Sequence, residues 1–170
     1  EAYNQDPGVV QHIFTAVFNN DSRQRGWNFN FTQEWPLYGK DHQISYSIPS
    51  SHFRDGGDRI YGIGDILINY RYQLLDEDED KPALAPRFSL ILPTGDARRG
   101  AGEDTLGYQV NLPFSTALGD DWFIHANAGS TFLPDATSAG GPDLWHYNLG
   151  ASAIYAATRD LHFLVEWVGI

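Results

Sequence analysis

Three histidines, His125, His146 and His162, fall in matching positions of an alternating pattern whose other members are Asn, Gln, Ser and Thr. Imidazoles so placed could converge on a metal ion or relay a proton. A metal needs every donor within about 2 Å of one point, and residues on separate strands do not establish that. The preferred reading is a wetted wall in which the histidines hydrogen-bond to Asn and Ser neighbours, with no metal and no cofactor assigned. Four ionisable residues, Asp65, Arg71, Arg87 and Glu166, share the same side of the pattern. Opposed charges across a narrow aqueous passage would select solutes by charge. The same charges could instead form a salt-bridge network that holds the wall together.

Other chemistries are curtailed by composition. The chain has no cysteine, which removes disulfides, thiolate zinc sites and cysteine nucleophiles. The stretch from Gly95 to Gly102 is rich in glycine, yet no Gly-Lys-Ser/Thr follows and no helix begins, so it is no phosphate cradle. A lipid hydrolase would need a Ser-His-acid set on its apolar side. Asn148 stands where a His-x-Ser motif after His146 would place serine, and neither His12 nor His42 has an evident serine partner. A catalytic residue is therefore not assigned. The net charge of −11 and a pI near 4.7 argue against nucleic acid as a partner and against docking on anionic membrane surfaces. Asp76, Glu77, Asp78, Glu79 and Asp80 read as a solvated turn, with a calcium site as the alternative.

The elements that carry these residues are strands. From Trp27 to Glu34, one column reads Trp27, Phe29, Phe31 and Gln33, and the other Asn28, Asn30, Thr32 and Glu34. Side chains alternate across a strand, so this segment has one greasy and one wet face. The pattern predicts about nine strands, near 9–18, 26–35, 42–49, 62–73, 83–93, 106–116, 121–132, 145–156 and 161–169. Helical spacing is not sustained anywhere, and no apolar run approaches the roughly 20 residues of a membrane helix. With a mean hydropathy of −0.38, a membrane-spanning form of this 170-residue chain must cross with strands.

Connections alternate in length. Those at 36–41, 117–121 and 157–160 are short, 75–82 is of middling length, and those at 50–61, 94–105 and 134–144 are long and polar. Bacterial outer-membrane barrels have short periplasmic turns and long extracellular loops, a parity that would place the N-terminus in the periplasm. Trp27, Trp35, Trp122, Trp145 and Trp167 all lie near predicted strand ends, where lipid-facing aromatic girdles sit. An odd strand count and the end at Val168-Gly169-Ile170 suggest that closing strands are lacking at the C-terminus, or that the count is off by one, or that chains close by oligomerising. The absent methionine suggests a removed signal peptide or a fragment.

Several stretches resemble the MetA-pathway of phenol degradation family. They are Gly62-Ile-Gly-Asp65 leading into Ile66–Tyr72, Ala85-Pro-Arg-Phe88 through Leu92-Pro-Thr-Gly-Asp96, and Gly107-Tyr-Gln109 with Leu112-Pro-Phe114. His125-Ala-Asn-Ala-Gly129 and Tyr147-Asn-Leu-Gly150 complete the set, which runs from about Gly26 onward. The resemblance implies an outer-membrane β-barrel that passes small, often aromatic, compounds, and brings no catalytic residues to carry over. The expectation is an all-β, antiparallel up-and-down barrel in the bacterial outer membrane, a single domain serving as a passive channel or uptake port. Its selectivity residues would be Asp65, Arg71, Arg87, His125, His146, His162 and Glu166. Its partners would be membrane lipid, a small solute and the barrel-insertion machinery, with oligomeric state open. The alternatives are a lipid-modifying enzyme of that membrane and a soluble calycin-like barrel. In the latter the columns swap and Trp27, Phe29 and Phe31 line the cavity.

Overall fold

The computed structural model describes residues 2–20, 24–55, 58–76, 81–136 and 140–169. The acidic residues 77–80 lie outside the described residues, and with them most of the run considered for calcium. Among the described residues, eleven strands form one sheet: β1 (Gln11–Asn20), β2 (Gln24–Leu37), β3 (His42–Asp55), β4 (Asp58–Ile63), β5 (Ile66–Tyr72), β6 (Ala83–Leu84), β7 (Arg87–Leu92), β8 (Gly107–Leu118), β9 (Trp122–Leu133), β10 (Leu144–Ala156) and β11 (His162–Gly169). The pairing is an antiparallel meander in the order β1-β2-β3-β5-β7-β8-β9-β10-β11, with β4 on β3 and β6 on β8. Strands β4 and β5 share one position in the sheet, as do β6 and β7, so the nine predicted strands are all present. Among the described residues β1 pairs only with β2 and β11 only with β10, which makes them the sheet edges.

Two interruptions have local causes. Ser50 pairs with Ile63 but Ser47 pairs with Leu67, which leaves one extra residue on the β4–β5 side. This is a bulge, and Gly64 N–H still donates to the Pro49 carbonyl at 2.8 Å. Strict alternation from Tyr61 and Ile63 would turn Ile66, Ile68 and Tyr70 to the wet side; the extra residue returns them to the greasy side. The second interruption separates β6 from β7 at Ala85–Pro86. Pro86 and Pro113 on the facing strand both lack an N–H, so the ladder loses bonds there. The register is unchanged across the gap, since Leu84 pairs with Phe114 and Arg87 with Asn111.

The segment expected as a long loop at 50–61 is largely strand: residues 50–55 pair with 58–63. Its polar composition reads as a loop, but backbone pairing does not require an apolar face. The connection at 94–105 contains one turn of 3-10 helix, Ala97–Arg99.

The sheet curls into a half-barrel, and its burial is the reverse of a water-soluble core. Gln43, Ser45, Asn69, Ser89, Asn111 and Ser115 are buried, with Ser89 and Ser115 at 0% exposure. Tyr70, Phe88, Val110, Leu112 and Tyr147 are exposed on the opposite face. The polar column therefore lies inside the curl and the greasy column outside. Apolar clusters are small: Ala2, Ala83 and Ala85 in one, and Ile91, Leu133 and Ala136 in another.

Candidate functional site: the polar inner wall

Strand register arranges the inner wall as rows that cross the sheet. One row runs Ser45, Asn69, Ser89, Gln109, Thr131 and His146; the next runs Gln43, Arg71, Arg87, Asn111, Gly129 and Asn148. Side chains bond along and between the rows. Asn69 donates to Ser45 at 3.1 Å, Gln109 to Thr131 at 2.9 Å, and Arg87 to Gln109 at 3.1 Å. Gly129 has a specific place in this network. A Cβ there would sit 2.1 Å from the Asn111 side-chain oxygen and 2.5 Å from that of Asn148. Its absence lets Asn148 reach across β9 and donate to Asn111 at 3.1 Å.

The candidate residues do not form a single centre. Asp65 is buried at the loop end, where its carboxylate accepts from the Gly95 and Glu103 backbone N–H groups, each at 2.8 Å. It clasps the 94–105 connection, and a Cβ on Gly102 would come within 2.6 Å of its Oδ1. Arg71 and Arg87 pair directly across β5 and β7. Arg87 is joined to no carboxylate by an ion pair among the described residues. Its Nε is buried without a hydrogen-bond partner among the described residues, as are Asn69 Oδ1 and Ser89 Oγ beside it.

The three histidines occupy three different rows. His125 lies in the row of Ser115, Ser152 and Glu166 and bonds to Ser115 Oγ through Nδ1 at 2.8 Å. His146 pairs with Thr131, and His162 with Ala156 near the short-turn end of β10. His146, His162 and Glu166 are exposed. No cluster of three or more metal-type side chains occurs among the described residues.

One part of the site carried no alternating signal in the sequence. Residues 2–5 run across the inner wall near the short turns, tied by side chains from β3, β5 and β8 and by Gln73. Ala2 N–H donates to Ser115 Oγ at 3.0 Å, and Gln73 Nε2 donates to the Ala2 carbonyl at 2.7 Å. Arg71 donates to the Tyr3 carbonyl at 2.6 Å and to Asn4 Oδ1 at 2.7 Å. Asn4 N–H donates to Gln73 Oε1 and Gln5 N–H to Gln43 Oε1, at 2.9 and 2.8 Å. At the same end an exposed ion pair of 3.0 Å joins Lys40 to Asp76; the carboxylate holds the Lys40 ammonium pKa above its ordinary value.

The outer face carries the predicted aromatics. Trp27 tilts against Phe18 at 5.0 Å, Trp122 against Tyr155 at 4.8 Å and Trp145 against Phe132 at 4.5 Å. Trp27, Trp122, Trp145 and Trp167 are exposed, and Trp35 is half-buried. An outer groove of about 570 Å³ lies beside Pro86, between Tyr70, Tyr72, Phe88 and Leu112.

An antiparallel meander curled into a half-barrel around polar side chains, with aromatic and aliphatic residues outside, is consistent with a β-barrel. The chain belongs to the family described as Putative MetA-pathway of phenol degradation, whose model matches residues 8–163. The resemblance read from the Gly62–Asp65, Ala85–Asp96 and Tyr147–Gly150 stretches is thus borne out. No curated protein matches the chain.

Proposed function

We propose that this protein is a channel or uptake port of the bacterial outer membrane, passing small solutes, aromatic ones among them, by diffusion along the polar inner wall. The observation that carries this reading is the inverted burial. Residues such as Tyr147 and Val165, at 65% and 73% exposure, need an apolar surround, whereas Ser89, Ser115 and Asn69 are enclosed. Burying apolar surface is favourable by roughly 25 cal/mol per Å², so lipid around the outer face stabilises what water would not. The exposed tryptophans near strand ends support the same orientation. The family name, with its link to phenol degradation, supports small aromatic compounds as solutes. In a calycin-like arrangement the apolar column would be the enclosed one, and burial runs the other way.

Selectivity is assigned to Arg71 and Arg87, which adjoin on the inner wall, with Asp65, His125, His146, His162 and Glu166 as further lining groups. The Ser115–His125 pair does not favour an enzyme. Its Nδ1 faces the hydroxyl, and Ser115 already accepts the Ala2 N–H. The test is single-channel recording of the full-length protein in a planar bilayer. Stable current whose ion preference changes in Arg87→Ala is the expected result. A folded, inserted protein that is silent both with and without residues 2–5, the segment that crosses the inner wall, would refute the channel.

A further inference from the structure

We infer that residues 2–6 form a constriction across the inner wall, so that the pore is set by a removable strap of its own chain as well as by the strand side chains. The inference rests on the channel reading and adds a part that the family match, which begins at residue 8, does not contain.

The geometry is that of a bound peptide. The cradle reads backbone: Ser115, Gln73, Arg71 and Gln43 bond to N–H or C=O groups of residues 2–5. Room for it is built in. Ala2 is 0% exposed and packs on Ala83 and Ala85, small residues that leave the wall hollow at this level. The ends of the contact lie on β8 and β3, three strand spacings or about 14 Å apart across the strands, and Ser115 lies four residues further along β8 than Asn111, the member of Gln43's row on that strand. The three residue steps from Ala2 to Gln5 supply only about 10 Å. The segment therefore runs as a chord inside the curl, bridged at its ends by side chains, and takes up space in the passage. It also occupies Arg71, leaving Arg87 as the neighbouring guanidinium that faces solute.

The hydrogen bonds from Ser115, Gln73 and Gln43 to the strap join neutral groups. These 170 residues hold no cysteine, so an engineered pair would be the only two thiols among them. Ala2 N and Ser115 Oγ are 3.0 Å apart, so Ala2→Cys/Ser115→Cys is the pair to cross-link, with bridge formation checked by thiol titration.

Planar-bilayer recording would compare four forms of the full-length protein, each first confirmed as inserted. They are the wild type, a deletion of residues 2–6, Gln43→Ala/Gln73→Ala, and that double variant carrying the cysteine pair. The deletion is expected to raise unitary conductance by about two-fold or more, since current through a narrow passage is governed by its tightest point. The double variant should fall between the two. The disulfide should return it to the wild-type level until reductant is added. A silent wild type with a conducting deletion also supports the strap, as a full plug. Equal conductance in all four forms overturns the strap and leaves the channel standing. Silence in all four overturns the channel reading, and the constriction with it.

Discussion

The centre and the edges of the sheet follow the same alternation but live in different surroundings. On β7 and β8, inward Ser89 and Ser115 are at 0% exposure. On β11, inward His162 and Glu166 are exposed, and every described residue of β1 is exposed on both faces. The contrast shows that alternation decides which face a residue takes, while curl and neighbours decide whether that face is enclosed. It also separates the ionisable candidates. Arg71 and Arg87 are held in a hydrogen-bonded wall, whereas His162 and Glu166 sit on a strand with one partner.

Face, then position, should order the effects of substitution. The largest is expected at Phe31→Arg, which places a charge on the greasy face mid-strand and should cost roughly 2–4 kcal/mol of membrane stability. Asn30→Arg, on the wet face one residue away, should be tolerated; equal loss at both sites in denaturant titrations of folded, lipid-inserted protein would break the face assignment. Next comes Asp65→Ala, which strands the Gly95 and Glu103 N–H groups and should cost about 1.5–3 kcal/mol. Faster hydrogen exchange confined to the 94–105 connection would check it, and unchanged exchange would mean the clasp is not what orders the loop. Ser89→Leu should cost about 1–3 kcal/mol through overpacking of an enclosed position. Glu166→Gln on the edge strand should stay within about 0.5 kcal/mol. If these last two variants unfold alike, the difference between centre and edge is wrong.

Much of this architecture was legible in the sequence, because a period of two needs only the identity of alternate residues. The nine strand positions, the wet and greasy columns and the end-placed tryptophans all follow from it. The bulge at Gly64–Asp65 was not legible, because one inserted residue shifts the phase without changing the composition. The pairing of residues 50–55 with 58–63 was obscured by polar side chains on a segment whose backbone is nonetheless laddered. Ser115 and Gln43 could be placed on the inner wall by phase alone. Their bonds to residues 2–5 depend on contacts between distant parts of the chain, with Ala2 and Ser115 separated by 113 positions, and no local pattern encodes that. Asp65 shows the same limit. Its place in the alternation reads as a lining charge, whereas its bonds to the Gly95 and Glu103 amides appear only in three dimensions.

The central claim is that the polar column faces water and the greasy column faces lipid. Spin labels on single cysteines at Gln109 and Val110, neighbours on β8 that face opposite ways, test it most directly in full-length protein reconstituted into vesicles. The account predicts that the label at Val110 collides mainly with dissolved oxygen, which concentrates in lipid. The label at Gln109 should collide mainly with a water-soluble nickel chelate. The reverse preference, or the same accessibility at both positions, would contradict it.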